Sequence, residues 1–491
     1  MKQFSNPIIK SEDYLFAERK ILQTHEQILD AMEKVALLSL EKVLDYISLN
    51  PNPLDVVLLV GKGNNGADAL ALGRHLIKTG IKVLALEFFE DSRSEFLKIQ
   101  KENFLGARGE LISLEEFFLM KDLLIIDGVF GSGFKGFLDK KTKMIFEFVN
   151  LSRFQVISLD APSGVSGDFG AALGSIKADV TLYIDYPRWG FFLDDAPNFL
   201  GELIPICLDC VPLDVVQHKI QGYLIDKEDL YLPEMKRKRH KYEAGLVAGF
   251  CGSSGMSGAL NLSGLASLKV GAGIVKFIHY LKLHLIVNEL IIFSLGKAKK
   301  ILRSAKALMM GPGTSRGYLA KFICRCLIKL SSCPVVIDAD AIYNLKKKHL
   351  RKIKSQSVIT PHRKECLDML ALDMQTKDEN LFKKIEEYLS DSEHLVLLKG
   401  VPTILFGKNI PKLVIYGGSP GMATAGAGDV LTGMIAGFIA QRMELVQAVC
   451  LAVYLHQKAG EIAALDLTAY SLTASSLIER IPDAIFLLRQ N

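Results

Sequence analysis

The chain has 491 residues, of which 49% are hydrophobic and 23% charged, with a formal net charge of +5. At roughly 150 residues per domain this length allows two to four domains, and the composition excludes extensive disorder. So mild a charge does not favour nucleic-acid binding. The first residues lack the apolar segment of a secretory signal, and the apolar stretch 283–295 is too short and too polar to span a bilayer. We expect a cytoplasmic enzyme that binds neither nucleic acid nor a membrane.

The first half of the chain alternates helical segments with short apolar strands. Residues 12–50 have helical spacing of apolar side chains, and LDVVLLV (54–60) is a buried strand that leads through GKGNNG into a helix ending at Gly80. LLIID (123–127) and QVISLD (155–160) are further strands. Unalternating apolar strands between helices are typical of a parallel sheet covered on both faces. We therefore predict a doubly wound α/β domain over residues 1–215.

The pattern loosens near residue 211 and then restarts. A basic cluster from Lys236 to Lys241 is interpreted as a solvated linker or, alternatively, as a phosphate-facing loop. Beyond it the predicted strands are GLVAGFC, GIVKFIHY, KALMMGPG, PVVIDAD, SVITPH, HLVLLKG and PTILF. A long apolar helix, GDVLTGMIAGFIA, follows a run of glycines. We predict a second doubly wound domain over residues 225–491.

A glycine-rich turn, Gly61-x-Gly63-x-x-Gly66, lies between a strand and a helix, with Glu87 about twenty residues on. This context also fits a dinucleotide-binding oxidoreductase. The segment GSGFKG (131–136) matches the same glycine spacing, which indicates how unspecific the spacing is.

Polar residues at the strand ends favour a different chemistry. Asp127 and Asp160 each end a strand, and the carboxyl ends of parallel strands form the ligand crevice of such a sheet. With Asn65 and Ser163 they offer oxygen ligands for a cation and a carboxylate for proton transfer. Either aspartate alone could equally be a helix cap or a turn residue. Their joint position favours a site.

Three segments, GKGNNGADALALGRHL, IIDGVFGSGFKG and LDAPSGVSGD, resemble in order the motifs of the NAD(P)H-hydrate epimerase family, over residues 12–210. The resemblance implies a Rossmann-like three-layer sandwich that interconverts the R and S forms of hydrated NADH and NADPH. It implies K⁺ bound by Asn65, Asp127 and Ser163, and Asp160 as the acid/base. It also implies substrate contacts at Asn64, Asn65, Gly66, Ala67, Asp68, Gly131, Ser132, Gly133, Phe134, Lys135, Gly136 and Phe137.

The chain departs from this family's motifs at several positions. Ala67 and Ala69 replace glycines in the first motif, which could alter helix packing without removing the ligands. Arg188 stands where the family often has lysine. Because arginine stays protonated, it cannot easily act as a base, although it could still contact phosphate.

The segment Gly426-Ala427-Gly428-Asp429 precedes the long apolar helix of the second half. Small residues let backbone N–H groups approach an anion, and the helix dipole adds a favourable field. An aspartate at this turn can take a proton from a hydroxyl that attacks a phosphoryl group. A tight turn with an aspartate cap is the alternative without function. The chain has no Walker motif, so it is not a P-loop enzyme.

The stretch GSPGMATAGAGDVLTG resembles the anion hole of the ribokinase-like superfamily. Together with HKYEAGLVAGFCGSSGMSGA, MMGPGTS, VITPHRKE and LLKGVPTIL it resembles the ADP-dependent (S)-NAD(P)H-hydrate dehydratases over residues 225–491. The resemblance implies a ribokinase-like three-layer sandwich that dehydrates the S-hydrate with ADP or ATP and Mg²⁺, giving AMP and phosphate, with Asp429 as the base. The implied substrate contacts are Ala259, Gly313 and His362, and the implied nucleotide contacts are Lys399, Gly400, Val401, Pro402, Thr403, Gly426 and Gly428.

In this half Ala425 and Ala427 replace glycine and threonine of the anion hole, and Met256 replaces an aromatic residue. We expect these changes to weaken activity without abolishing it. His362 considered alone could equally be an ordinary loop histidine.

The two resemblances together predict a bifunctional nicotinamide-nucleotide repair enzyme, and the dehydratase resemblance implies a homo-oligomer. The alternative is a ribokinase-like small-molecule kinase fused to a non-catalytic Rossmann-like ligand-binding module. A stable phosphorylated product would favour that alternative. The sequence leaves open the choice between ADP and ATP, and between the NADH and NADPH hydrates.

Overall fold

The computed structural model describes residues 4–50, 55–89, 94–350, 353 and 355–490, with no side chains for residues 346–348. The chain divides into two compact units. The N-terminal unit is Asn6–Gly222, and the C-terminal unit runs from Tyr223 onward and includes the residues before Asn6. The division therefore falls between the two domains that we expected to end at residue 215 and begin at residue 225.

The N-terminal unit contains a parallel sheet whose strands follow the order β10-β9-β6-β5-β2-β3-β4. The strands of this unit are β1 (Asn6–Ile8), β2 (Asp55–Val60), β3 (Val83–Glu87), β4 (Glu110–Leu111), β5 (Leu123–Gly128), β6 (Gln155–Leu159), β7 (Val165–Ser166), β8 (Gly170–Ala171), β9 (Val180–Ile184) and β10 (Glu202–Ile206). The helices are α1 (Ser11–Ile21), α2 (His25–Leu49), α3 (Asn64–Lys78), α4 (Glu95–Gly106), α5 (Leu114–Leu119), α6 (Lys140–Leu151), α7 (Pro197–Leu200) and α8 (Leu213–Val216).

The central strand β2 shows why this sheet is buried on both faces. Val56 and Leu58 pack in a core with residues of α2 and α3. Val57 and Leu59 point the other way, into a core that includes Phe146 of α6. Alternate side chains of a strand face opposite sides, so an unbroken apolar run is required when helices cover both. The predicted α/β class is confirmed for this unit.

The predicted helical segment 12–50 consists of two helices. Thr24 separates them because its hydroxyl accepts a hydrogen bond from the backbone N–H of Gln27 at 3.2 Å. The Gln27 side chain in turn accepts from the Thr24 N–H at 3.0 Å, which completes a capping box. This break leaves α1 as a separate helix, and α1 contributes to the site described below.

The C-terminal unit contains a mixed sheet with the order β11-β20-β19-β18-β17-β16-β15-β12-β13-β14. Its strands are β11 (Gly222–Leu224), β12 (Leu246–Phe250), β13 (Ile274–His279), β14 (Ile291–Ser294), β15 (Ala307–Met310), β16 (Val335–Ile337), β17 (Ser357–Ile359), β18 (Leu395–Leu398), β19 (Thr403–Gly407) and β20 (Ile410–Ile415). Its helices are α9 (Ser257–Lys269), α10 (Ala298–Ser304), α11 (Tyr318–Leu330), α12 (Asp340–Leu350), α13 (Arg363–Leu370), α14 (Asp378–Leu389), α15 (Ala427–Ala440), α16 (Leu445–Leu467) and α17 (Ala474–Arg489).

Among the pairings described above, β18 with β19 and β19 with β20 are antiparallel. Only two residues join β19 to β20, which is enough for a hairpin but not for the crossover that a parallel pair needs. The sequence predicted β19 but missed β20 and this reversal. Helices cover both faces of this sheet too. Leu405 packs in the core with residues of α15 and α16. Its neighbour Phe406 faces the other side, where its ring centroid lies 5.5 Å from that of Phe382 in α14.

The basic cluster Lys236–Lys241 lies in an irregular segment of the C-terminal unit. Its side chains are exposed except for the half-buried Arg239, which donates to the carbonyl oxygen of Gly271 at 2.7 Å. In the described ranges no helix has the length and apolar character needed to cross a bilayer.

Close contact between α9 and α15 yields a stability prediction. A Cβ atom added to Gly433 would lie 2.1 Å from the carbonyl oxygen of Ser263. We expect Gly433→Ala to lower the free energy of unfolding of the C-terminal unit by about 1–3 kcal/mol, because the helices must separate. Denaturant titration followed by circular dichroism measures this loss.

The matched control is Gly258→Ala in α9, where an added Cβ meets nothing within 4 Å. It should leave stability unchanged or raise it by up to about 1 kcal/mol. Fluorescence of Trp189, the only tryptophan, reports on the N-terminal unit and should not change in either variant. Equal stability of the two alanine variants would contradict the close-packing argument.

Candidate active sites

Asp127, at the end of β5, is the buried centre of the N-terminal site. One carboxylate oxygen accepts hydrogen bonds from the Ser163 hydroxyl at 2.5 Å and the Val129 N–H at 3.2 Å. The other accepts from the Ser158 hydroxyl and the Ser163 N–H, each at 2.8 Å. Burial raises the pKa of Asp127 against the effect of these bonds. Asp127 is thus a buried carboxyl whose hydrogen-bond donors among the described residues are all neutral.

Asn65 and Ser163 complete the oxygen ligands that the sequence predicts around Asp127. The Asn65 amide, in the first turn of α3, donates to the carbonyl oxygen of Leu159 at 3.2 Å. The Ser163 hydroxyl also lies 3.3 Å from the carbonyl oxygen of Phe130. In the sheet order β5 and β3 lie on opposite sides of β2, so the strand order reverses there. The ligand crevice of such a sheet therefore opens between the carboxyl ends of β2 and β5. The structure therefore groups Asp127 and Ser163 directly, with Asn65 tied to the neighbouring strand end.

Asp160 follows β6 with a left-handed φ of +61°, an uncommon conformation that is found at functional sites. One carboxylate oxygen accepts from the Ser132 N–H at 2.7 Å. The other is buried, makes no hydrogen bond within the described part of the chain, and lies 3.7 Å from the nearest guanidinium nitrogen of Arg188. One oxygen is thus anchored and the second is available to a ligand.

Arg188 is a fixed, fully buried cation beside Asp160. Its guanidinium lies 3.8 Å from the ring centroid of Tyr14 and donates to the carbonyl oxygen of Tyr186. It also lies 3.4 Å from the Ser132 hydroxyl. Stacking and several directional hydrogen bonds suit arginine and not lysine. Arg188, which stands where the resembled family often has lysine, therefore supplies a permanent positive charge at this position.

Helix α1 contributes two site residues that the sequence reasoning missed. Tyr14 holds the guanidinium of Arg188, and its hydroxyl donates to Asp185 at 3.0 Å. One turn later, burial and the charge of Asp160 raise the pKa of Glu18 to about 7, although Arg188 opposes the shift. The four-residue spacing of Tyr14 and Glu18 was the available signal, but it is also ordinary helix periodicity.

Asp68, a predicted substrate contact on α3, belongs to the same group of acids. Burial raises its pKa well above the usual range, and the charges of Asp160 and Glu18 add to the shift. One of its carboxylate oxygens is buried without a hydrogen bond from the described residues. We call Glu18, Asp68 and Asp160 the acidic cluster.

The glycine motifs permit close packing around these acids. A Cβ on Gly131 would lie 2.6 Å from an Asp160 oxygen, and a Cβ on Gly66 would lie 2.3 Å from the carbonyl oxygen of Gly61. Ala67 and Ala69 are buried in the core. The added bulk at Ala69 is accommodated because Gly128 opposite has no Cβ atom.

The predicted substrate loop is exposed or half-buried from Gly133 to Phe137, and Asn64 is exposed. Glu87, the acid of the oxidoreductase interpretation, pairs with Lys101 at 2.7 Å.

Asp429 lies in the first turn of α15, after Gly426 in a left-handed conformation. Burial raises the pKa of Asp429 to about 7; Asp338 raises it further, and Lys399 opposes the shift. A carboxyl group that titrates near neutral pH suits a general base.

Asp338, which the sequence reasoning also missed, organises this second site. It follows β16 and is buried. Its two oxygens accept from the Lys399 ammonium at 2.6 Å and from the Thr432 hydroxyl at 2.8 Å. A Cβ on Gly428 would lie 3.4 Å from the Lys399 nitrogen. The Lys399 ammonium therefore lies beside the N-terminus of α15. The ammonium charge and the helix N-terminus both favour binding of an anion.

His456 on α16 holds the first turn of α15 in place. Burial lowers its pKa to about 4, so the ring is neutral at neutral pH and donates to the carbonyl oxygen of Ala427 at 2.9 Å. That bond uses the backbone carbonyl oxygen, so the alanine side chain at position 427 does not weaken it.

Asp340, at the start of α12, accepts hydrogen bonds from the Ser315 N–H at 3.0 Å and from the Arg316 guanidinium at 2.9 Å.

The remaining predicted contacts of this half fall at the same edge of the sheet. Ala259 and Gly313 adjoin, since a Cβ on Gly313 would lie 3.0 Å from that of Ala259. His362 caps α13, and its ring accepts a hydrogen bond from the Glu365 N–H at 3.3 Å. Its backbone forms an isolated parallel β-bridge with Lys399. In the loop from Lys399 to Thr403, which includes Val401 and Pro402, the Thr403 hydroxyl donates to the carbonyl oxygen of Gly400 at 2.9 Å.

Comparisons with known proteins cover both halves. Residues 247–483 match the family described as NAD(P)H-hydrate dehydratase, and residues 29–190 match the YjeF-related protein N-terminus. A bifunctional NAD(P)H-hydrate repair enzyme of Dictyoglomus turgidum is 30% identical over 88% of this chain and 88% of its own. One from Coxiella burnetii is 28% identical over 88% of this chain and 90% of its own.

A crystal structure of the ADP/ATP-dependent NAD(P)H-hydrate dehydratase from Bacillus subtilis, co-crystallised with ATP and Mg²⁺, is 26% identical and covers 54% of this chain and 97% of its own, with a TM-score of 0.47. The kinase alternative is not favoured, because relatives with the repair-enzyme name match across both halves. The chain belongs to the family of bifunctional NAD(P)H-hydrate repair enzymes.

Proposed function

We propose that the N-terminal unit interconverts the R and S forms of hydrated NADH and NADPH, and that the C-terminal unit dehydrates the S form. The second reaction consumes ADP or ATP, and with ADP it yields AMP and phosphate. The observation that carries the proposal is the pairing of a neutral-pH base, Asp429, with an anion-binding environment made by Lys399 and the start of α15.

For epimerisation, the hydroxyl on the hydrated ring carbon must leave as water, and water must return to the opposite face. A group beside that carbon must therefore give a proton and take one back. For this exchange Asp160 has one anchored oxygen and one that accepts no hydrogen bond from the described residues, and Arg188 keeps a positive charge beside the second. Glu18, with a pKa of about 7, is a second group of the acidic cluster that exchanges protons at neutral pH.

The residues around Asp127 fit a monovalent cation. Within the described ranges no three His, Cys, Asp or Glu side chains group as a metal site. The Asp127 carboxyl supplies one buried negative charge among neutral groups, and a singly charged cation would balance that charge. We propose that Asn65, Asp127 and Ser163 hold K⁺, whose charge would offset that of Asp127 and attract the oxygen of the substrate hydroxyl.

For dehydration, Asp429 takes the proton of the hydrate hydroxyl while that oxygen attacks the terminal phosphorus of the nucleotide. The new O–P bond forms as the bond to the bridging oxygen breaks, and AMP leaves when ADP is used. Phosphate then departs from the ring carbon with the C–O electron pair, and loss of a proton restores the ring double bond. Phosphorylation is needed because hydroxide is a poor leaving group.

Lys399 and the N–H groups of α15 would offset charge on the transferred phosphoryl group. Asp338 and Asp340 both raise the pKa of Asp429, so this site has an excess of negative charge that a divalent cation would relieve. Mg²⁺ commonly binds one or two carboxylates together with substrate phosphates, and it would supply charge neutralisation during transfer.

We predict that the two reactions can be separated by single substitutions. Wild-type protein with ADP and Mg²⁺ should convert both the purified R- and S-hydrates to reduced cofactor, measured by absorbance. Asp160→Asn should slow use of the R-hydrate at least about 100-fold while the S-hydrate is still used. Asp429→Asn should stop the use of both.

The matched controls are Asp45→Asn and Asp391→Asn, which change exposed aspartates of the two units. Unchanged use of the R-hydrate by Asp160→Asn would remove catalysis from Asp160 and leave the N-terminal unit as a binding module. A stable phosphorylated product from the wild-type protein would support the kinase alternative.

Potassium dependence tests the cation site. We predict that replacing KCl by tetramethylammonium chloride at equal ionic strength lowers the rate of R-to-S exchange, and that added KCl restores it. Asp127→Asn should abolish this response, because the buried negative charge is lost. Trp189 fluorescence establishes whether that variant is folded, and a folded variant that still responds to K⁺ would exclude Asp127 as a ligand.

The pH dependence of dehydration tests the charge relation between Asp338 and Asp429. Asp429 must be deprotonated to act, so activity should fall as the pH drops below about 7. Asp338→Asn removes a negative charge that raises the pKa of Asp429. It also releases Lys399 from its ion pair with Asp338, and the positive charge of Lys399 lowers the pKa of Asp429. Both changes shift the acid limb of the profile to lower pH. Thr432→Val, which keeps the charge of Asp338, should leave the limb in place; an unmoved limb in Asp338→Asn would contradict the assignment.

A further inference from the structure

A cavity of about 290 Å³ lies in the N-terminal unit, beside the predicted substrate loop. Its walls come from residues 134–138, from α6 at Lys143, and from the β7–β8 hairpin. The volume is at the lower limit of the range found for small-molecule sites, about 300–1,000 Å³. The cavity can therefore hold a part of a dinucleotide but not a whole one.

Large apolar side chains are exposed around this cavity. Phe137 is 96% exposed, Phe169 61% and Leu173 86%. Single exposed apolar residues are common on proteins, whereas several that line one concave surface mark a ligand or partner site. Two phenylalanine rings at the rim favour a flat aromatic ligand.

Two lysines add positive charge to the same cavity. The Lys135 ammonium is already balanced by Asp168 at 3.5 Å and Glu12 at 3.7 Å. The stem of Lys143 lies against the backbone of Gly174, and within the described residues its ammonium has no ion pair. Lys143 is thus the charge available to an anionic group such as a phosphate.

A direct hydrogen-bonded path joins the cavity to the acidic cluster. The Ser132 N–H donates to Asp160, and the Ser132 carbonyl oxygen accepts from the Gly167 N–H of the β7–β8 turn at 2.7 Å. From Ser132 the loop reaches Phe137 in five residues, a span of at most about 18 Å. The cavity and Asp160 are thus close enough for one dinucleotide, whose two rings are joined by a pyrophosphate linker, to reach both.

We propose that this cavity binds the adenylate half of the hydrated dinucleotide, with the adenine ring against Phe137 and Phe169 and a phosphate of that half paired with Lys143. This inference rests on the proposed epimerase function and adds a binding subsite to it. The hydrated nicotinamide half lies at Asp160, and the pyrophosphate linker follows the loop.

The experiment measures R-to-S exchange for the full hydrate of NADH and for the hydrate of the reduced mononucleotide, which lacks the adenylate half. Phe137→Ala should raise the KM for the full hydrate about tenfold, as expected for loss of a base-stacking side chain, and leave kcat unchanged. Lys143→Met should also raise this KM. Neither should change kcat/KM for the mononucleotide hydrate.

Phe16→Ala, at an exposed phenylalanine outside the cavity, and Lys141→Met, on the same helix as Lys143, are the matched controls. Equal losses with both substrates, or no loss with either, would overturn the subsite while leaving the epimerase function intact. If the wild-type protein exchanges neither substrate, the proposed function itself fails and the subsite with it. A larger effect of Lys143→Met on the NADPH hydrate would assign Lys143 to the additional phosphate of that cofactor.

Discussion

Each unit keeps a carboxyl group buried at or just beyond the carboxyl end of a parallel strand, and burying a charge costs several kcal/mol unless neighbours compensate it. In the C-terminal unit Asp338 is compensated by the Lys399 ammonium and the Thr432 hydroxyl. In the N-terminal unit the described residues give Asp127 neutral donors alone. The single buried carboxyl of Asp127 suits the monovalent cation proposed there. In the C-terminal unit Asp429 adds a further carboxyl beside the pair of Asp338 and Lys399, and this additional negative charge suits the divalent cation proposed for that site.

In both units a charged group acts on a nearby carboxyl of the proposed site. Asp338 raises the pKa of Asp429, and Lys399 limits the rise. In the other unit Arg188 keeps a positive charge against Asp160 and limits the pKa of Glu18. Both units therefore hold a carboxyl group with a pKa of about 7, where proton transfer in either direction is available at neutral pH.

The departures from the family motifs have local structural accounts. Arginine at position 188 is supported by the ring of Tyr14 and by the carbonyl oxygen of Tyr186. Ala69 packs where Gly128 leaves room. Ala427 contributes its carbonyl oxygen to His456, a contact that needs no particular side chain. At these three positions the substituted residues are thus accommodated by stacking, by a missing Cβ atom or by a backbone contact.

Elements and motifs whose signal is local could be predicted from the sequence by itself. Apolar runs and glycine-rich turns located most of the strands, and Asp127, Asp160 and Asp429 could be proposed as site residues from the residues around them. Tertiary structure alone decided the roles of Glu18, Asp338 and Thr432. Asp338 contacts partners 61 and 94 positions away, and no local pattern records such a contact. A pKa depends on the atoms that exclude water and on nearby charges, and distant segments supply both only when the chain has folded.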